Sequence, residues 1–588
     1  MKRVFTTILV AMIIATSLTA CRTENASQTN QPTESTTEVT TETATEAKTE
    51  VSTEIKSEKP NNLPTSIDLR NYKGKNYVTP TKTQLFGDCW TFATISAVES
   101  AYLLTNDLGV PAGEVNDNVD FSEKYIAWYA YQSITKDDVT TGKIRSSQIG
   151  EGYDLSEMIS EDSNIVYSLG GSTGGARLFS SGFSPVEEKV SVNSEYPYAY
   201  CGRYCQVIDG ERQISPDDDW SIPLTSQYRN PESKAIFRSS YLLPAPSLTD
   251  ENGEYKFNQE GVTAIKTELA NGHGVFCCIF YGDNINYEHW AAYNNYESEA
   301  NHAVAIIGYD DNFPKENFAQ VDISSKIYEN SIPPANGAFI VKDSTGELGI
   351  DDSGCYYISY YDHAITDAIS FAFDKTDSAV CKNPNYDQYD MLMGTTYKNL
   401  DYDSKTKMAN VFDTQENESL YQIGYTTATP NTTVHYEIYK DIKDDNPESG
   451  TLLEKGDTTH QWSGLHRIDL KDKHKLQKGE KYSVVLTMEY IDENGKSKYT
   501  EIFSCGANIP FIEAKMVAPI NGIINKGESY IFTGGKWNDM TDRKDTLLKQ
   551  AYNEIVKDPL VPETFKPHSI DDVDIDNYPI KAILIPEK

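Results

Sequence analysis

The chain has 588 residues, room for two to four domains, and 11% aromatic residues including 39 tyrosines, enough to build sizeable cores. Its 52 Lys+Arg against 88 Asp+Glu leave a formal charge of −36. A surface that acidic repels phosphate backbones, which excludes nucleic acid as the expected partner and suits a protein kept soluble outside the cell.

In chain order, the first segment is MKRVFTTILVAMIIATSLTAC. A basic start at Lys2 and Arg3, an apolar stretch from Val4 to about Ala15 and small residues before Cys21 describe a secretory signal, too short for a membrane span. Its end, Leu18 to Cys21, resembles the bacterial lipobox. That resemblance implies cleavage before Cys21, a diacylglyceryl group on its thiol, and a membrane anchor facing outside the cytoplasm. A simple cleavable signal is the alternative. Residues 22–62 are a Thr/Glu/Ser tract in which Glu recurs every fourth residue from Glu34 to Glu58. Threonines are poor helix formers and like charges would stack, so a solvated stalk is expected.

From Leu63 the texture changes to LPTSIDLRNYKGKNYVTPTKTQLFGDCWTFATISAVESAYLL. Cys89 opens a run in which Phe92 to Val98 is apolar or small. This predicts a helix buried on most sides, with Gly87 and Asp88 as approach turn and polar cap. A cysteine at a helix start is favoured as thiolate, the form that attacks carbonyls. Residues 105–300 read as long polar loops, interrupted by GVFCCIFYG, which predicts a buried strand carrying Cys277 and Cys278. ANHAVAIIGYD (300–310) predicts a strand headed by His302, and GAFIVKD (337–343) another that ends at Asp343. An imidazole heading an apolar strand is costly to bury without a partner, which makes His302 the candidate base. His273, His289 and His363 are its nearest competitors. Of nine cysteines only Cys201 and Cys205 are spaced for a local bridge, so no dense disulfide framework is expected.

After about residue 375 short alternating strands follow one another between turn-rich gaps. TVHYEIY places Val434, Tyr436 and Ile438 on one side, and KYSVVLTMEY does the same with Tyr482, Val484, Leu486, Met488 and Tyr490. Such spacing predicts an all-β sandwich. The acidic run DDVDIDN (571–577) lacks the loop glycine and final Glu of a calcium loop and reads as a solvated turn.

Together these segments resemble the papain-like cysteine peptidases. LPTSIDLR is similar to the start of a mature domain, VTPTKTQLFGDCWTFA to the nucleophile segment, and DFSEKY to the helix that follows. GGSTGGARLF and EYPYAYC are similar to the glycine-rich cleft wall and its continuation, NHAVAIIGYDD to the histidine strand, and PPANGAFIVKDS to the approach to the third catalytic residue. The resemblance implies Cys89 as nucleophile, His302 as base and then acid, and Asp343 as the group orienting the ring. It implies Gln84 and the backbone N–H of Cys89 as oxyanion donors. Gly170 and Gly171 would be the substrate wall, with Gly174 and Gly175 fitting nearly as well. The sequence departs from the family at three places. Asp343 stands for Asn, Thr345 stands for the Trp that covers the His–Asn bond, and Gln84 lies one residue nearer the cysteine. Long insertions are expected within 105–165 and 200–260, and no inhibitory propeptide is evident between stalk and domain. Segments from about 385 onward, among them ANVFDTQENESLYQIGYTTATPNTTVHYEIYKD and GESYIFTGGKWNDM, resemble the lectin-like domain that follows some bacterial papain-type domains.

The expected fold is therefore α+β. A papain-like two-lobed catalytic domain over 63–375, a helical lobe plus a β-barrel-like lobe, precedes an all-β sandwich over 376–588. The expected function is a surface-anchored cysteine endopeptidase acting on proteins or peptides through a Cys-His-Asp thiolate mechanism. Cell-surface glycans are further partners of the C-terminal domain, and no cofactor or metal is expected. The alternatives are a catalytically impaired papain-like surface binding or adhesion protein, motivated by Asp343, Thr345 and the short Gln84 loop, and a Cys/His peptidoglycan amidase.

Overall fold

A computed structural model describes residues 63–84, 86–141, 147–161, 164–188, 206–208, 211–213, 224, 235–250, 254–282, 284–296, 299–319, 331–346, 348–376, 384–391, 396–511, 515–558, 561 and 563–587. The signal segment with Cys21, the Thr/Glu tract, and Cys201 and Cys205 lie outside the described residues.

The helix Cys89–Thr105 contains neither proline nor glycine and is apolar on every face, so it has to be enclosed all round. Every residue from Trp90 to Leu103 is buried. It lies across the strands Gly274–Ile279, His302–Asp310 and Thr366–Phe373. The approach is so close that a Cβ on Gly274 would stand 1.8 Å from the carbonyl oxygen of Ala97. Only glycine fits there.

The His302–Asp310 strand pairs antiparallel with Gly274–Ile279 on one side and Ala338–Lys342 on the other. Cys355–Ser359 extends the sheet beyond Ala338–Lys342. On the opposite flank come Thr366–Phe373 and then Phe237–Leu242. The sheet does not end there. Phe237–Leu242 pairs with Ser463–Leu476, which pairs with Glu418–Thr427, which pairs with Lys581–Pro586. A single sheet thus runs from the His302 strand into the C-terminal half.

A second, nine-stranded sheet is built around Lys481–Ile491, flanked by Lys407–Asp413 and Thr432–Lys440. The side chains expected on one face, among them Val434, Tyr436, Ile438, Tyr482, Val484, Leu486 and Met488, are all buried. They share one core with Leu420, Ile423, Leu465 and Ile468 of the first sheet. The result is the sheet-rich sandwich that the strand pattern predicts.

Two expectations need correction. Among the described residues of 105–300, beside the expected helix Glu123–Tyr129 and strand Gly274–Ile279, stand the helices Gly174–Ser180 and Gln259–Ala270 and the strand Phe237–Leu242, where loops were expected. Their sequences look polar because buried charged groups are paired inside, as Glu123 is with Lys82 at 2.8 Å and Glu268 with the Ser370 hydroxyl at 2.9 Å. The DDVDIDN run is not a solvated turn throughout. Val573–Ile575 pairs with Ser497–Ala507, and Asp576 is fully buried.

Candidate active site

The segment leading to Cys89 is held by one lysine. Lys82 is buried, and its Nζ lies 2.8 Å from Glu123, 2.9 Å from Asp120 and 3.1 Å from Glu188, and donates to Phe121 O. Burial alone would lower its pKa, but the surrounding carboxylates reverse that and raise it well above the ordinary lysine value. Two residues on, Gln84 is pinned at both ends of its amide. Its Nε2 donates to Phe86 O at 2.9 Å, and its Oε1 accepts from the Ser344 hydroxyl. The Gln84 backbone N–H also donates to Ser344 O at 2.9 Å. One Gln84 amide proton remains beyond the bond to Phe86.

Asp88 precedes the helix but does not cap it with its side chain, contrary to expectation. Its backbone, at φ −106° and ψ 32°, is not in the extended form that side-chain caps adopt. Instead its carbonyl accepts from Thr91 N at 2.8 Å and from the Thr91 hydroxyl at 2.9 Å. The carboxyl is fully buried with Oδ1 unpartnered among the described residues, and burial pushes its pKa well above the ordinary carboxylate value. The helix that follows begins at the half-buried Cys89, whose thiol stands at its positive end.

His302 opens its strand with its Nε2 2.7 Å from Asp343 Oδ1, directly after the Ala338–Lys342 strand. Cys89 adjoins the same ring, outside regular hydrogen-bond geometry but close enough to act on its charge. Burial by itself lowers the imidazole pKa, but Asp343 and Cys89 outweigh it and hold it well above the ordinary value. Burial would raise Asp343, yet His302 and the Ser344 N–H at 2.6 Å bring it below the usual carboxylate range. The arrangement favours the protonated form of His302 beside an ionised Asp343.

The loss of the covering tryptophan does not open this bond to water. The Asp343 side chain has 0% exposure and that of His302 12%. The Tyr281 ring lies 5.2 Å from the His302 ring, and the Tyr356 hydroxyl adjoins Asp343 outside regular hydrogen-bond geometry. Thr345 forms a β-bridge with Thr83, lacing the Asp343 loop to the Gln84 loop. Tyr281, Tyr356, Ser344 and Lys82 escaped the sequence reading because their roles depend on chain segments that only the fold brings together.

The candidate glycines divide. Gly174 and Gly175 lie inside the helix Gly174–Ser180, where a Cβ would press on Trp90 at 3.1 Å or Thr94 at 2.6 Å, so their smallness serves packing. Gly170 and Gly171 precede that helix on a partly exposed stretch. They are anchored by Tyr131, whose hydroxyl donates to Gly170 O, and by Trp90, whose Nε1 donates to Leu169 O at 2.7 Å. Of the competing histidines, His273 is bonded to Glu268 at 2.7 Å and His363 stacks on Tyr255 at 3.6 Å.

Among the described residues, one group of carboxylates could hold a metal ion: Glu151, Asp390 and Asp576, all buried. Each has an oxygen without a hydrogen-bond partner, and an all-oxygen, acidic donor set suits a hard divalent cation. The group joins three distant stretches of chain, which is why the sequence concealed it.

Residues 386–553 match a family model described as Lectin like domain. No curated protein matches the chain. Among solved structures it is similar to the cysteine protease and lectin-like domains of Cwp84, a surface layer associated protein of Clostridium difficile. The identity is 20%, the TM-score 0.54, and the match covers 89% of each chain. It is also similar to clostridial Cwp84 after propeptide cleavage, at 20% identity and TM-score 0.52, over 89% of this chain and 99% of that one. The chain has the fold of a papain-like cysteine peptidase joined to a lectin-like domain.

Proposed function

We propose that the chain is a cysteine endopeptidase, with the catalytic part running from 63 to about 375 and the sandwich beyond it. The observation that carries this reading is the His302 ring, bonded to Asp343 at 2.7 Å on one side and reached by the Cys89 thiol on the other. In this mechanism His302 takes the Cys89 proton, and the sulfur attacks the peptide carbonyl. The oxyanion is held by the Cys89 N–H and the remaining Gln84 amide proton. His302 then protonates the leaving amine, and water, deprotonated by His302, hydrolyses the thioester. Asp343 fixes the ring and stabilises its cationic form, and Ser344 ties Asp343 to Gln84.

The test is turnover of a denatured protein and of a peptide library by the full chain, compared with Cys89→Ala. Cleavage that disappears in the variant supports the reading, and muropeptide release without protein cleavage would move the chain to the amidases. No turnover by either protein would favour the impaired binding protein. The buried His302–Asp343 bond and the laced 83–84 and 344–345 loops argue for an intact site.

The signal segment and Cys21 support export and lipid anchoring, with the Thr/Glu tract as stalk, and metabolic labelling with a palmitate analogue that is lost in Cys21→Ala would test it. Glycans are the second partner class we propose, for the lectin-like domain. Among the described residues of that half the strongly exposed large apolar side chains are Leu452, Ile491 and Val517, none of them aromatic. A glycan array with no bound sugar would remove that part of the reading.

A further inference from the structure

The helix Gly174–Ser180 has the Gly170–Gly171 stretch before it and the C-terminal half of the chain after it. Seven helical residues span about 10 Å and leave their last carbonyls without partners inside the helix. Here those carbonyls are met by side chains of the C-terminal half. Arg467 Nη2 donates to Phe179 O and to Ser180 O, each at 3.2 Å, and Gln388 Nε2 donates to Ser181 O at 2.8 Å. Lys581 Nζ donates to the Ser181 hydroxyl at 2.9 Å. The chain then turns at Gly182, at φ +92°, where a Cβ would stand 2.8 Å from the Tyr386 ring.

The sheet explains why two basic side chains converge there. Arg467, Gly424 and Lys581 form one row across three strands, Arg467 opposite Gly424 and Gly424 opposite Lys581. Residues opposite one another share a face, and the glycine between the two leaves that face open. Arg467 and Lys581 are both 4% exposed. Two basic heads buried on one face are costly unless acceptors meet them, and the carbonyl end of a helix supplies such acceptors. The Arg467 guanidinium also lies 4.9 Å from the Tyr386 ring and 5.5 Å from the Phe237 ring, and Nη1 donates to the Tyr386 hydroxyl at 3.0 Å. The opposite end of the helix is seated on the Cys89–Thr105 helix. A Cβ on Gly174 would stand 3.1 Å from Trp90, and one on Gly175 2.6 Å from Thr94. One short rod therefore connects Arg467 to the neighbourhood of Cys89.

We propose that Arg467 is a positioning residue for substrate binding: from the C-terminal half it fixes the end of the helix Gly174–Ser180, and through that helix the cleft wall at Gly170–Gly171. The proposal rests on the peptidase reading above and gives the C-terminal half a part in that activity. Arg467 acts on the wall and leaves Cys89 and His302 as they are. The competing role is structural, with Arg467 only joining the two halves. Its loss would then reduce the fraction of folded protein without changing how the folded molecules bind.

The test compares two reagents that capture Cys89 in the full chain, native and Arg467→Gln, with rates read by mass spectrometry on the reactive fraction. Iodoacetamide reaches the thiol without using the wall, whereas a peptidyl epoxide has to lie along it. Arg467→Gln should leave the iodoacetamide rate and its pH profile unchanged and slow the peptidyl epoxide about tenfold. The loss should lie in the concentration giving half-maximal rate rather than in the limiting rate. Arg467→Lys keeps the charge but not the planar fork and should fall between the two. Tyr386→Phe removes only the hydroxyl that orients the guanidinium and should show the same kind of loss at about threefold, which decides the matter if Arg467→Gln does not fold. Peptidyl epoxide capture at the native rate in the folded variants, or a fall shared equally by iodoacetamide, would overturn the positioning role and leave the peptidase reading standing. A native chain in which neither reagent prefers Cys89 to the other cysteines would overturn both.

Discussion

His302 and the pair His460–His466 are comparably shielded from solvent, yet their protonation is pushed in opposite directions. His302 faces Asp343 and Cys89 and is held well above the ordinary histidine value. His460 and His466 stack at 3.7 Å in the C-terminal half and bond only neutral hydroxyls, Tyr425 and Thr427, each at 2.8 Å. Burial pushes His460 down to about 4 and His466 well below its usual range, with the neighbouring His460 imidazole adding to the effect on His466. Burial alone therefore makes a histidine inert, and a carboxylate partner turns the same burial into a stored proton.

The comparison breaks first if the two regions respond alike to mutation. His302→Ala should lower kcat/KM on a cleavable peptide by about 10⁴-fold, as loss of a catalytic base does when the group acts as part of a unit. His466→Gln should leave peptide turnover within about threefold, because His466 lies away from the reacting atoms. Next in size is the support of the segment leading to Cys89. Lys82→Met strands Glu123, Glu188 and Asp120 without their shared cation and should cost about 3–5 kcal/mol of stability, read as a fall in Tm in the Cys89→Ala background.

The histidine pair gives the third effect. Its folded pKa values are depressed, so the unfolded chain takes up protons first as pH falls below about 6.5. Stability should decline from there toward pH 4, by up to about 3 kcal/mol for His460 alone. His460→Gln should flatten the dependence of Tm on pH over that window. His302 contributes with the other sign: its stabilising pairing is present at low pH and is lost as pH rises through its raised folded value. The smallest effect sharpens the comparison. Asp343→Asn keeps an acceptor for the ring N–H but removes the charge. The alkaline limb of kcat/KM should then move about one unit or more toward lower pH while cleavage persists.

Much of the site was legible because its chemistry is carried by short contiguous runs. The Cys89 helix, the His302 strand and Asp343 each stand in a segment whose apolar pattern gives its own element. The strands of the sandwich were legible for the same reason, through their period of two. What escaped were groups that acquire meaning only across the fold. Ser344 matters because it meets Gln84, and Asp576 because it is buried with Glu151 and Asp390. The polar texture of 105–300 misled for a related reason, since a paired interior charge such as Lys82 or Glu123 looks in sequence like a solvated one.

The central claim is that His302 ionises the Cys89 sulfur, and alkylation of Cys89 by iodoacetamide as a function of pH tests it most directly. The native chain should react at a rate that stays high down to mildly acid pH. His302→Ala should react only as an ordinary thiol does, with its midpoint near pH ~8.5. Superimposable profiles for the two proteins would contradict the account.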